Sequence, residues 1–195
     1  MKIAVSGELG SGKTVLSNKL SEALGLEVIS VGKIQRRLAA ECGMTTLEFN
    51  KYMETHPEID RKCDDMVAMY GKEKRSLILD SRMAWYFVPD SFKIHLLADT
   101  LVAAQRIYAD NARKNEYYNN VEEAEKKLVE RKKSEALRFR QQYGVDVDDY
   151  NNYDLVADTS FSPPGVVFDI VLECLDKWNR HQPFNRLYLS PESFL

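Results

Sequence analysis

No stretch of this 195-residue sequence approaches the roughly 20 consecutive apolar residues that a membrane-spanning helix needs, so no membrane-spanning segment is expected. Cysteine is scarce: Cys42, Cys63 and Cys174 are widely separated and none belongs to a C-x-x-C pair. Zinc-site and dithiol-redox readings therefore have no support, and a reduced, cytoplasmic setting fits. Cationic residues are not in excess, since 27 Lys and Arg against 30 Asp and Glu leave a formal charge of -3. That balance argues against nucleic acid as a partner while leaving room for a local cationic pocket. His56, His95 and His181 are isolated from one another, with His95 inside a strand pattern, and all read as structural. Residues 1–6 enter an apolar, strand-like segment without the positive leader of a secretory signal, so none is expected.

What is present suits one good core. At 195 residues and 44% hydrophobic, the chain is long enough for one domain with a movable insertion and short for two. Residues 2–6 alternate and end in Gly7. Val15, Leu16, Leu20, Ala23 and Leu24 then recur at helical spacing before Gly25. Residues 26–30 read as a second strand, and Gly32 opens a helix that ends at Gly43. Thr45 or Thr46 caps a short helix through His56, and Pro57 starts a longer one with Ile59, Cys63, Met66, Val67 and Tyr70 on its apolar face. Residues 77–80, 94–98 and 154–158 are buried-strand patterns. Five strands alternating with helices predict an α/β fold with a five-stranded parallel sheet flanked by helices. Residues 100–150 are the longest polar region and hold a Lys/Glu-rich helix over about 120–143, which suits a hinge-and-lid excursion. The tail after Trp178 is expected to drape over the body.

The chemistry is clearest near the start. Gly7, Glu8, Leu9, Gly10, Ser11, Gly12, Lys13 and Thr14 fit G-x-x-x-x-G-K-[ST], between the predicted strand and helix that a phosphate-binding loop requires. Glycines there let backbone N–H groups converge on phosphate oxygens, the helix N-terminus adds positive potential, Lys13 reaches the outer phosphates, and Thr14 offers a hydroxyl to Mg²⁺. ATP with Mg²⁺ is the expected cofactor. A GTPase should carry a guanine-reading N-K-x-D, yet Asn50-Lys51 is followed by Tyr52 and Met53.

Phosphoryl transfer between two nucleotides would bring two polyanions together, and arginines would be needed beyond Lys13. Candidates are Arg36 and Arg37, Arg82 after the third strand, Arg106 and Arg113 around the suspected lid, and Arg131, Arg138 and Arg140 on the long helix. Arg131, Glu135 and Arg138 share one helical face, with Glu135 placed to orient both guanidinium groups. Spacing alone favours a solvated face for this trio. Asp80 stands at the carboxyl end of a parallel strand, where open sheets bind ligands, and suits either a Mg²⁺ water or hydrogen bonds from an acceptor; a capping role is the bland alternative. No general base is needed if the acceptor is itself a phosphate.

Taken together, Gly7 to Thr14, Val31-Gly32-Lys33-Ile34-Gln35-Arg36, Asp80-Ser81-Arg82, the 131–138 segment and Tyr153-Asp154-Leu155-Val156-Ala157-Asp158-Thr159 resemble the cytidylate kinases, especially the compact archaeal-type branch, over about residues 1–175. The resemblance implies a P-loop NTPase fold in which ATP phosphorylates CMP or dCMP. The implied layout is one kinase domain over 1–180, an NMP-binding region at about 31–75, a lid at about 110–122 and a tail over 181–195. It implies that Arg36 grips the acceptor phosphate, that Asp80 and Arg82 face the CMP, and that Arg131, Glu135 and Arg138 complete the clamp, with Arg131 and Arg138 joining Lys13 in catalysis. Arg106 and Arg113 would serve the lid, and Thr14 and Asp80 the metal. The chain departs from the family pattern at Val31, Met83 and Asp110. The implied partner is a small nucleotide, with no nucleic acid, no membrane and a monomeric state. A P-loop kinase for another small acceptor and a nucleotide-binding regulator without turnover are the alternatives.

Overall fold

Leu77, Ile78 and Leu79 are completely buried, as are Ile3, Ala4 and Val5, and these short apolar runs form the centre of a sheet covered on both faces. The computed structural model describes residues 1–110 and 118–189. The strands are β1 (Lys2–Gly7), β2 (Glu27–Ser30), β3 (Leu77–Asp80), β4 (Phe92–Leu97), β5 (Leu155–Asp158) and β6 (Leu187–Tyr188). They run in the order β2-β3-β1-β4-β5-β6, and every pairing is parallel.

The expected count of five strands is corrected to six. The sixth is two residues of the tail that pair with β5, held by the Arg186 guanidinium on the Tyr153 carbonyl. The tail is thus part of the sheet, with Phe184 packed on Phe92. A two-residue strand offers no periodicity from which to read it.

Eight helices are found among the described residues: α1 (Lys13–Leu24), α2 (Val31–Glu41), α3 (Thr46–Thr55), α4 (Pro57–Lys72), α5 (Ala84–Phe87), α6 (Thr100–Tyr108), α7 (Val121–Tyr143) and α8 (Pro164–Asn179). Ile3 and Val5 pack with Leu16 and Leu20 of α1 and Val171 of α8 on one face of the sheet. Ala4 and Leu79 pack with Cys63 and Val67 of α4 on the other. Strand alternation sends successive side chains to opposite layers. The start of α3 is the predicted one: Thr45 and Glu48 form a reciprocal capping box.

From β1 the sheet extends one way through β3 and β2 and the other way through β4, so the carboxyl end of β1 is a topological switch point. Register brings the ends of the strands together there, with Val5 opposite Asp80, Ser30 opposite Asp80 and Gly7 opposite Leu96. Arg113 and most of the expected lid at 110–122 lie outside the described residues.

Candidate active site

The loop from β1 to α1 has the backbone that its glycines permit. Gly7, Gly10 and Gly12 have φ of 138°, 73° and 85°. At Gly7 a Cβ would stand 2.3 Å from the Leu96 carbonyl oxygen, so the space as well as the dihedral demands glycine. Ser11 folds its hydroxyl onto the Glu8 carbonyl at 2.8 Å. Thr159, after β5, braces the loop by donating to the Ser11 carbonyl at 3.0 Å.

Lys13 curls back over this loop, donating to the Gly7 carbonyl at 3.0 Å and to the Glu8 carbonyl. Burial, with Arg82 adding to it, pushes the ammonium well below the usual lysine value, while Asp80 and Glu135 oppose the shift. Phosphate oxygens at the loop would favour the charged form again. Arg106 of α6 sits on the other side, donating to the Gly10 carbonyl at 3.3 Å, the Thr159 hydroxyl at 3.1 Å and the Ser160 carbonyl at 3.2 Å. Its guanidinium fastens the P-loop to the β5–α8 connection within the body of the fold, outside the 110–122 segment.

A cavity of about 790 Å³ opens from this loop and continues past the ends of β2 and β3 to the helices α2, α4 and α7. Lys13 and Thr14 line it, as do Asp80, Arg36, Arg82, Arg131 and Arg138, and Arg82, Asp80 and Arg131 are near enough to act on the Lys13 charge. Asp80 Oδ2 accepts the Ser30 hydroxyl at 2.8 Å. Asp80 caps no helix, Ser30 stands at the N-cap position of α2 without a capping bond from its side chain, and both are buried and line the cavity.

The Arg131, Glu135 and Arg138 trio is buried, at 8%, 7% and 2% exposure. The solvated-face reading favoured by spacing is thereby overturned, because α3 and α6 pack along α7 and take its charged stripe out of water. The wiring also differs from expectation. Glu135 accepts from Arg131 Nε at 2.9 Å and from Arg82 Nε at 2.8 Å, so its second guanidinium is that of Arg82. Arg138 turns to the acceptor-side helices, donating to Asp60 at 2.8 Å and to Asn50 at 2.8 Å. Burial raises the Glu135 carboxyl, but Arg82, Arg131, Arg138 and Lys13 outweigh it and hold the group at about 2. Glu135 is therefore a permanent anion between two guanidinium groups, fixing their heads in place.

The cytidylate kinase-like family profile matches residues 2–161. The cytidylate kinase of Pyrococcus furiosus is 41% identical over 175 residues, covering 89% of this chain and 88% of its own length. That of Methanosarcina acetivorans is 35% identical over 198 residues, covering 100% and 98%. The chain belongs to the cytidylate kinase-like family.

Solved structures carry the same fold at lower identity. A deoxyadenosine kinase from M. mycoides superposes with a TM-score of 0.53 at 19% identity, covering 91% of this chain and 100% of that one. A shikimate kinase from Acinetobacter baumannii gives 0.54 at 19%, covering 92% and 94%. Within this member of the cytidylate kinase-like family, sequence reasoning passed over Ser30, Asn50, Asp60 and Asp64. Asp60 and Asp64 were discoverable: both interrupt the apolar stripe of α4 at i, i+4 spacing, and buried carboxylates need partners. Asn50, whose partner Arg138 lies 88 positions away, gave no local signal.

Proposed function

We propose that the chain transfers the terminal phosphoryl group of ATP to a pyrimidine nucleoside monophosphate, CMP or dCMP, yielding ADP and the diphosphate. One observation carries the reading: one cavity is lined both by the P-loop and by Arg36, Arg82, Arg131 and Arg138. Two polyanions can therefore meet with fixed cations on each side. The names of the archaeal relatives support the same acceptor.

In this reading the P-loop amides and Lys13 hold the donor phosphates, and the four arginines hold the acceptor phosphate and the charge that develops between the two. Mg²⁺ fits the residues present, since the Thr14 hydroxyl and the Asp80 carboxylate line the same stretch of cavity as Lys13. Thr14 would coordinate it directly and Asp80 through water, and when bound it would neutralise charge on the transferring phosphates. The acceptor's oxygen needs no general base, so the side chains act by placing and neutralising charge. Residues 1–180 form one kinase domain in this proposal, with acceptor binding in 31–75, a lid over 110–122 that includes Arg113, and a monomeric, cytoplasmic protein.

The test is ADP release with ATP and Mg²⁺ against CMP, dCMP, UMP, AMP, GMP, shikimate and no acceptor, with Lys13→Ala as the inactive control. Stimulation by CMP or dCMP above the others supports the proposal. Stimulation by shikimate alone moves the acceptor to a hydroxyl compound, and no stimulation by any acceptor leaves a nucleotide-binding regulator.

A further inference from the structure

The acceptor end of the cavity holds a carboxylate that phosphate binding does not use. Asp60 and Asp64 lie one turn apart on α4, are 2% and 5% exposed, and both line the cavity. Asp60 is engaged by Arg138 and, at 3.2 Å, by Gln142 Nε2. Asp64 receives the Tyr143 hydroxyl on Oδ2 at 2.6 Å, and its other oxygen accepts no hydrogen bond among the described residues. Arg138, which also lines the cavity, has a buried Nε with no hydrogen-bond partner among the described residues.

An anionic carboxylate beside a phosphate site is counterproductive unless it meets a part of the ligand that is not anionic. The acceptor's base is such a part. We infer that Asp64 reads the 4-position of the acceptor's pyrimidine ring, accepting a hydrogen bond from a 4-amino group when ionised and donating one to a 4-keto group when protonated. The inference rests on the proposed pyrimidine monophosphate acceptor and adds the residue that selects the base.

Cytosine presents an N–H donor at this position and uracil a carbonyl acceptor, so one oxygen atom suffices to tell them apart. The surroundings let that oxygen change role near neutrality. Burial, with Asp60 and Asp65 adding to it, raises the Asp64 carboxyl to about 7 against the pull of Tyr143 and Arg138 of α7. Neighbouring groups do not share this titration: the Cys63 thiol is raised to about 11 and the Tyr143 hydroxyl is pushed up by burial. α3 contributes neutral Asn50, α5 contributes Tyr86 with its ring tilted against that of Tyr143, and Arg36 of α2 lines the cavity as a permanent cation. Preference for the amino base should therefore strengthen as pH rises through 7.

The experiment is kcat/KM for CMP and for UMP between pH 5.5 and 8.5 at saturating ATP, with UMP read as a competitive inhibitor where its turnover is too slow. Titration of the monophosphate is common to both acceptors and cancels in the ratio. In the wild type the CMP/UMP ratio should rise about tenfold, the worth of one base-edge hydrogen bond. Asp64→Asn, which offers both an acceptor and a donor, should give a small ratio that does not change with pH. Tyr143→Phe keeps the carboxylate but removes a hydrogen bond that stabilises its ionised form, so the inflection should move to higher pH. That shift tests the inference even if Asp64→Asn folds poorly. A pH-independent ratio in the wild type, or an unmoved profile in Tyr143→Phe, with CMP still phosphorylated, overturns the role of Asp64 alone. Failure to use either pyrimidine at any pH overturns it together with the acceptor proposal.

Discussion

Arg36 and His95 show two ways in which one residue carries more than its sequence neighbourhood reveals. Arg36 reaches the cavity from the second turn of α2, and in the proposed mechanism it contributes a charge-assisted contact to the acceptor phosphate. Such a contact is worth about 1.5–3 kcal/mol, so Arg36→Ala should raise the acceptor KM about 10- to 100-fold and leave the ATP KM nearly unchanged. An effect on ATP instead would mean that the cavity is divided differently. His95 points its ring into the interior at 3% exposure, and neither nitrogen has a hydrogen-bond partner among the described residues. Desolvation, then Arg82, Lys13 and Lys132, hold its imidazole at about 3, against an ordinary value of 6.5. Between those values the unfolded chain takes up a proton that the folded chain refuses, so stability from this residue is complete above 6.5 and falls as pH drops toward 3. Asp64, raised from 3.8 to about 7, acts in the opposite sense, because there the folded state holds the proton. The measurement should therefore be a difference: wild type minus His95→Asn, by urea unfolding. Between pH 6 and 4 that difference should move against the wild type by up to about 1.4 kcal/mol per pH unit. A constant difference would mean that His95 finds a partner when protonated.

Among elements, α7 is the one whose meaning depended on burial. Its Glu/Lys/Arg composition belongs to a solvated helix, while the buried stripe Ala124, Leu128, Arg131, Glu135, Arg138 shows a helix that delivers charge into the interior. The Arg138–Asp60 pair that joins it to α4 is 2% exposed on both sides. Burial raises the Asp60 carboxyl despite the attraction of Arg138 and the hydrogen bond from Gln142. Removing the guanidinium leaves that carboxyl buried without its counterion, at a cost of about 3–5 kcal/mol. Arg138→Ala should lower Tm by about 10 °C, and adding Asp60→Asn should recover part of the loss. No recovery would place the defect in packing rather than in charge. Five of the six strands and the P-loop were legible from sequence, because apolar runs and glycine spacing are local signals: β3, the threonine cap of α3 and the Gly7 to Thr14 loop all stand where they were read. What depends on distant partners was not. Glu135 could be matched with Arg131 and Arg138 by helical spacing, but Arg82, 53 positions away, is its second partner. Likewise β6 exists only because β5 offers it an edge.

For the whole molecule, the distribution of cross-links argues how it should move. The acceptor-side helices are tied to α7 by Arg138 to Asn50 and Asp60, by Ser134 to Glu54 at 2.6 Å and by Tyr143 to Asp64. To the P-loop, α7 is joined by Lys132 on Glu8 at 2.5 Å, and to the segment that follows β3 by the Arg82–Glu135 pair. The sheet and α1 are bound by apolar packing throughout their length. Residues 31–75 and α7 should therefore respond to ligand as a unit, while the sheet acts as a fixed base. Donor and acceptor phosphates together would draw Arg36, Arg131 and Arg138 toward Lys13, because each cation then serves two anions in a space shielded from water. In hydrogen exchange, ADP alone should protect the P-loop and the start of α1, CMP alone should protect α2 and α4, and the two together should add protection across α2, α3 and α7 beyond the sum of the separate effects. Amides of β1 and β3 should change little in any of the three states. Strict additivity would show that the two ends of the cavity fill independently, and closure would then have no part in bringing the phosphates together.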